Sequence, residues 1–389
     1  MEVYILDSLY RRTEVVDRYE SFIWAERFSS KGDFELNILS TLENRNRFLP
    51  GVMLAIDLSY RVMTIETVQD ITDDEGRRML KITGPSLEAI LEQRLALADL
   101  SDLTTDPKWI LTGLPQDIAI QMFHDICVTG ILDSGDIIPS VTEGSIFPAD
   151  TIGAPSDSIV YAVDPKTLYL GIKELCDSYA MGFRLVRDLD TSILYFDIYM
   201  GSDRTTGQTG LAAVVFSPDL ENLRNTNKLS SAALYKNTAY VMSPVGHEIV
   251  YELDFDPVTN GFARRILLVK ADDITDVVPA DATTKMIARG KEELAKNRRL
   301  TSLDGEITTY SQYVYGTDYN LGDLVELRDD DGTTSKMQVT EQIFVSDKEG
   351  NRAYPTLSVN LFITPGSWLA WDYNQEWDDL TTEEWEDQP

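Results

Sequence analysis

The chain has 389 residues, 43% of them hydrophobic and 10% aromatic, enough to bury a large core across roughly two to four domains and too apolar for a disordered chain. It carries 34 Lys and Arg against 65 Asp and Glu, a formal net charge of -31, which excludes a protein that wraps nucleic acid, because neutralising phosphates needs cations. Cys127 and Cys176, the only two cysteines, have no CxxC spacing, so neither a disulfide framework nor a zinc site is indicated.

The start, MEVYILDSLY, has no basic segment and no long apolar run, so no signal peptide is expected and folding is expected in a cytoplasm. No stretch approaches the ~18 apolar residues of a membrane span, so no stable membrane insertion is expected. Residues 3–83 read as strands: Val3–Leu6, Glu14–Ala25, Gly32–Leu39, Val52–Leu58, Val62–Thr72 and Arg77–Thr83. In Asp33–Ile38 the apolar Phe34, Leu36 and Ile38 alternate onto one face. Asp73–Gly76 is a hairpin turn, with Gly76 free to take positive φ. Gly84-Pro85 ends this unit, and Ser86 is placed to cap a helix over Leu87–Ala98. Pro115 opens a second helix to about Val128. Residues 130–160, rich in Gly and Pro, read as a long loop. A third helix spans about Lys166–Ala180 and stops by Gly182. Strands follow near Phe183–Arg187, Ile193–Tyr199, Ala212–Phe216, Ala232–Met242, Glu248–Phe255 and Ala263–Leu268. A fourth helix runs from about Pro279 to Arg298, and residues 300–363 return to strands.

One β-module occurs twice. With an offset of 274, Met63 falls on Met337, Ile65 on Val339, Ile71 on Val345, Gly76 on Gly350 and Arg78 on Arg352. Each copy is preceded by a glycine-led apolar strand, Gly51–Ile56 and Gly322–Leu327. A ring-forming structural protein can use such a repeat to double its symmetry, whereas an enzyme rarely needs it.

Catalytic signatures are sparse. His124 and His247 are far apart, and there is no GxSxG elbow, P-loop, HExxH or GxGxxG after a strand. Asp73, Asp74, Asp329, Asp330 and Asp331 fall in expected turns, where Asp serves turn chemistry. No catalytic, metal or cofactor residue is therefore assigned. Residues 366–389 differ from the rest: they hold Trp368, Trp371, Trp377 and Trp385, eight acidic residues and no Lys or Arg. Four such aromatics fit either back-packing or anchoring in a partner. Lys296, Arg298 and Arg299 form the most basic spot in the chain, suited to a helix C-terminus or to an acidic neighbour.

The segments Leu80–Arg94 (LKITGPSLEAILEQR) and Tyr315–Val325 (YGTDYNLGDLV), together with Phe34–Leu36, Gly51–Ile56, Met63–Glu66 and Val215–Leu223 (VFSPDLENL), resemble the tail-hub proteins of long-tailed, siphovirus-type bacteriophages, also called baseplate hub or minor tail proteins. These are similar to the hubs of contractile tails and to VgrG-type spikes. The resemblance spans about residues 1–365. It implies an α+β, mostly β fold with two related small β-barrel, tube-like domains at 1–83 and 300–365 flanking a helix-containing middle at 84–299. It also implies a homotrimer at the virion tail tip whose doubled barrels meet a hexameric tail tube. The implied partners are the distal tail or tail tube ring, tape-measure protein, tail-tip fibre or receptor-binding proteins, and genomic DNA only in transit. The tail 366–389 lies outside the resemblance and is expected to dock on a neighbour through its tryptophans, with Lys296, Arg298 and Arg299 as a receiving basic spot. Two other classes stay open on the residues alone: a β-rich cell-wall or carbohydrate-active hydrolase, and a receptor-binding adhesin using the 130–160 loop.

Overall fold

The computed structural model describes residues 1–72, 76–99, 108–252, 261–272, 274–275, 279–297, 300–307, 312–329, 332 and 334–359. The chain is mostly β with an α+β middle. Val3–Leu6 pairs on one edge with Arg12–Val16 and on the other with Met53–Ile56, which continues to Met63–Thr64, giving a four-stranded antiparallel sheet. It packs over a larger sheet of eight strands. The order there is Val215–Phe216, Leu324–Arg328, Thr334–Asp347, Tyr19–Arg27, Asp33–Leu39, Arg78–Pro85 and Thr67–Thr72, with Gly350–Val359 also on Thr334–Asp347. The alternation of Asp33–Leu39 is realised: Phe34, Leu36 and Ile38 are buried and the residues between them are not. They meet Phe22, Trp24, Leu80 and Ile82 of neighbouring strands and Val3, Leu54, Ile56 and Met63 of the smaller sheet in one core, which also takes Phe344. Expelling this much apolar surface from water, at ~25 cal/mol per Å², is what holds the two sheets together.

The module repeat is structural. Gly51 (φ 90°) and Gly322 (φ 88°) both take the left-handed region. Gly51 N–H donates to Ile65 O at 2.8 Å, and Gly322 N–H donates to Val339 O at 2.8 Å. Ile65 N–H donates to Val52 O and Val339 N–H to Asp323 O. Leu54 pairs with Met63, and Val325 with Met337. Each copy then kinks at the same place: the first breaks between Met63–Thr64 and Thr67–Thr72, while the second has a register shift between Val339 and Glu341. Each ends in a hairpin containing a positive-φ glycine, Gly76 or Gly350. The copies differ in turn length, since Thr72 pairs with Arg78 but Asp347 pairs with Gly350.

The described residues do not show the two closed barrels expected from the sequence. Among the described residues no sheet closes, and both copies feed one sheet on opposite sides of the Tyr19–Leu39 hairpin. The reason is the 14-residue strand Thr334–Asp347. Its first half pairs with Leu324–Arg328, and its second half reaches Tyr19–Arg27, with Phe344 opposite Trp24. The C-terminal copy has its own core, in which Phe216, Leu321, Val325, Leu327, Met337 and Val339 pack with Phe28 and Tyr199.

The middle is built around helices Pro115–Phe123 and Leu168–Ser178, the latter capped by Thr167 Oγ1 accepting from Leu170 N–H. Leu168, Ile172, Leu175 and Cys176 pack against Ile118, Met122, Phe123 and Ile126, over Phe183, Leu185 and Phe196 of the strand pair Gly182–Arg187 and Leu194–Tyr199. Pro115–Phe123 widens into a π turn, His124–Thr129, ended by Gly130 (φ 68°). Two sequence expectations shift. Leu87–Gln93 is a 3-10 helix followed by a strand, and the Ser86 hydroxyl accepts from Gly32 N–H at 2.8 Å instead of capping. The 130–160 segment holds a strand, Val141–Glu143, parallel to Leu194–Tyr199. A smaller unit pairs Thr238–Ser243 with Gly246–Tyr251 and Ile266–Lys270 under helix Pro279–Lys296. Gly290 lets helix and sheet approach there: a Cβ would lie 2.6 Å from Val250 Cγ2. No helix among the described residues is long and apolar enough to cross a membrane.

Candidate functional site: a buried charged junction

The residues predicted for docking fall mostly outside the described residues: Arg298, Arg299, Trp368, Trp371, Trp377 and Trp385 all do, as do Asp73, Asp74, Asp330 and Asp331. Lys296 is the last residue of helix Pro279–Lys296. His124 lies beside Glu143 at 3.1 Å, and His247 sits on a strand of the smaller unit.

The chemistry that the structure does concentrate is a charged cluster where the N-terminal sheets, the middle and the C-terminal copy meet. Glu26 follows Phe22 and Trp24 at alternating positions, so the strand turns it inward with them. Its Oε1 accepts from Trp24 Nε1 at 2.8 Å and its Oε2 from the Tyr315 hydroxyl at 3.2 Å. Arg61 enters from the segment before Met63. Its guanidinium donates to Glu88 Oε1 at 2.8 Å and to Arg27 O at 2.8 Å, and contacts the Tyr199 hydroxyl at 3.3 Å and Glu26 at 3.8 Å. Glu88 is fully buried and also accepts from Leu185 N–H at 2.8 Å. Burial alone would lower the pKa of Arg61, but Glu88, then Tyr199 and Glu26, raise it above its ordinary value. Burial pushes Tyr199 up to about 12, against the pull of Arg61 and Arg184. Burial also pushes the Tyr315 hydroxyl well above its ordinary value, so both hydroxyls are neutral at any physiological pH and the arginine stays charged.

A second layer extends outward. Arg184 donates twice to Asp197, at 2.8 and 2.6 Å, between the rings of Phe147 and Tyr199, 3.8 and 3.9 Å from its Cζ. Beyond it, Arg204 donates to Asp323 at 2.8 Å, and Asp323 also accepts from Ser202 N–H and Asn320 N–H. An open cleft of about 400 Å³ lies over this layer, lined by Glu26, Tyr60, Arg61, Phe147, Arg184 and Tyr315 among others. Its ionised groups already face opposite charges. Such an arrangement fixes the relative placement of three chain regions. Alternation could have shown Glu26 in advance; no local pattern marks Arg61 or Glu88, whose partners lie 27 positions apart.

The family described as Siphovirus ReqiPepy6 Gp37-like protein matches residues 2–357. No curated protein matches the sequence. Among solved structures, the tail protein from Neisseria meningitidis MC58 is 14% identical over 95% of this chain and 98% of its own, with a TM-score of 0.57. The 43 kDa tail protein of prophage MuSo2 from Shewanella oneidensis is 13% identical over 92% and 96%, with a TM-score of 0.55. Prophage tail protein gp18 from Listeria monocytogenes EGD-e is 11% identical over 93% and 96%, with a TM-score of 0.52. The repeated module and its junction are thus carried on the fold of phage tail proteins, and the chain belongs to the Siphovirus ReqiPepy6 Gp37-like family.

Proposed function

We propose that the chain is a structural hub subunit of a virion tail tip and acts as a homotrimer at the end of a hexameric tail tube. The observation that carries this reading is the repeat of one hydrogen-bonded module, led by Gly51 in one copy and by Gly322 in the other. Three subunits with two such modules each offer six like surfaces, which is what a three-fold component needs to cap a six-fold tube. The regions 1–83 and 300–365 would be the tube-forming units, and 84–299 would support the rim.

The open face of the large sheet carries Asp33, Glu35 and Glu341, partly balanced by Arg27 and Lys81. Facing a channel, an acidic wall would keep DNA from sticking in transit. The tail 366–389 would anchor its tryptophans on an adjacent subunit or tip protein, with Lys296, Arg298 and Arg299 as the basic spot facing its acidic residues. Neighbours in this arrangement are the tube ring, the tape-measure protein and receptor-binding fibres. Light-scattering mass of the purified chain tests the assembly: three times 43.8 kDa, about 131 kDa, is expected. A single-chain mass at every concentration up to the solubility limit would sink the trimer.

A further inference from the structure

Arg187 closes the strand Gly182–Arg187 and is 2% exposed. Its Nη1 donates to Tyr10 O at 3.0 Å, but Nε and Nη2 have no partner. A buried guanidinium with unmet donors is costly, and proteins ordinarily answer it with a carboxylate. The carboxylates nearby are engaged elsewhere. Asp7 is held by Arg11 and by the N–H groups of Leu9 and Arg11. Asp188 accepts from Asp190 N–H and the Thr191 hydroxyl. Glu14 pairs with Arg47 at 2.9 Å.

The charged groups that line the cleft with Arg187 are Arg11, Arg12 and Asp188, the last held by its own turn. Arg12 lines the same cleft, its Cζ 4.0 Å over the Tyr4 ring, and adds a like charge. Burial first, and then Arg12, lower the pKa of Arg187 to about 10, so it remains charged at neutral pH. The cleft, about 230 Å³, lies between the turn at Asp7–Arg11 and the turn at Asp188–Ser192. It is large enough for a small anion, given that a water takes ~30 Å³. Tyr10 and Ser192 hold these turns with positive φ of 58° and 59°.

We propose that this cleft is an oxyanion site in which Arg187, with Arg12 at the mouth, binds a carboxylate or a phosphate. Two parallel N–H groups of a guanidinium match the two oxygens of either group. In a chain of net charge -31 such a site is a selective receptor and not a general basic surface. Its cleft shares no lining residue with the cleft over the Arg61 junction, and the site does not rest on the hub reading.

The test is calorimetric titration of the full-length chain with inorganic phosphate and, separately, with acetate, at constant ionic strength. Saturable binding of one or both is expected, weakened about tenfold or more in Arg187→Met and in Arg12→Ala, as losing a charge-assisted hydrogen bond or its supporting charge requires. Phosphate alone binding identifies a free anion or phosphoryl group as the natural occupant. Acetate binding as well points to a carboxylate side chain. Arg12 is exposed on its strand, so Arg12→Ala decides the matter if Arg187→Met fails to fold. Absence of saturable binding by either anion to the folded chain, or binding unchanged in the variants, overturns the proposal.

Discussion

Replacing Arg61 with Met probes the junction most sharply. The side chain is 3% exposed, and its guanidinium holds Glu88 at 2.8 Å, Arg27 O at 2.8 Å and Tyr199 at 3.3 Å. Methionine fills most of the volume, so the loss is electrostatic and little cavity forms. It leaves Glu88, fully buried, and Glu26, 2% exposed, without their cation. Removing one partner of a buried ion pair costs about 3–5 kcal/mol, a large part of the roughly 5–15 kcal/mol that holds a domain folded. Adding Glu88→Gln should restore a good part, because the amide oxygen still accepts from Leu185 N–H while the orphaned charge is gone. The two changes should therefore be non-additive by about 1–3 kcal/mol. Urea unfolding followed by near-ultraviolet circular dichroism gives the totals. Hydrogen exchange at the Leu185 and Arg187 amides, which bond to Glu88 and to Tyr60 O, reports the site locally. A shift under about 1 kcal/mol for Arg61→Met, or strict additivity with Glu88→Gln, would refute the view that this cluster ties the three regions together.

Three further outcomes follow from the same packing. Gly201 has φ 86°, and a Cβ there would sit 2.3 Å from the Gly322 carbonyl carbon; Gly201→Ala should cost more than the ~1–3 kcal/mol of backbone strain alone and lower the midpoint of thermal unfolding, and an unchanged midpoint would show that the middle and the second module do not touch there. Both cysteines are free and buried, and burial raises Cys127 to about 12 and Cys176 higher still; iodoacetamide at pH 8 should label neither in the folded chain and both in urea, and quick native labelling would contradict the helix packing of the middle. Burial pushes Glu326 up, but the Thr206 hydroxyl and amide and Arg328 outweigh it, so its folded pKa lies below the ordinary 4.5. Its contribution is fully present above 4.5 and is lost as pH falls through the folded value; Glu326→Gln should flatten that part of the acid-unfolding curve, and an identical curve would remove Glu326 from the account.

Much of the fold was legible where local physics decides it. The alternation in Asp33–Ile38, Pro115 at a helix start and the turn glycine Gly76 acted as read. The repeat was legible too, because its positive-φ glycines and buried Met63 and Met337 are fixed by backbone geometry and core packing. What stayed hidden depends on partners far apart in sequence. The pairing of Phe344 with Trp24, which merges the two copies into one sheet, leaves no local trace. The same holds for Arg61 with Glu88 and for the unpaired donors of Arg187. Ser86 read as a cap because its type suits one, yet tertiary contact gave its hydroxyl to Gly32 N–H.

The central claim is that two equivalent modules in each of three subunits meet a six-fold tube. Electron cryo-microscopy of intact tail tips, at a resolution that traces the strands, measures it directly. The account predicts three copies of this chain in a ring, with Gly51–Pro85 and Gly322–Val359 alternating at six like positions against the tube. Six copies, or a ring in which only one of the two modules touches the tube, would contradict it.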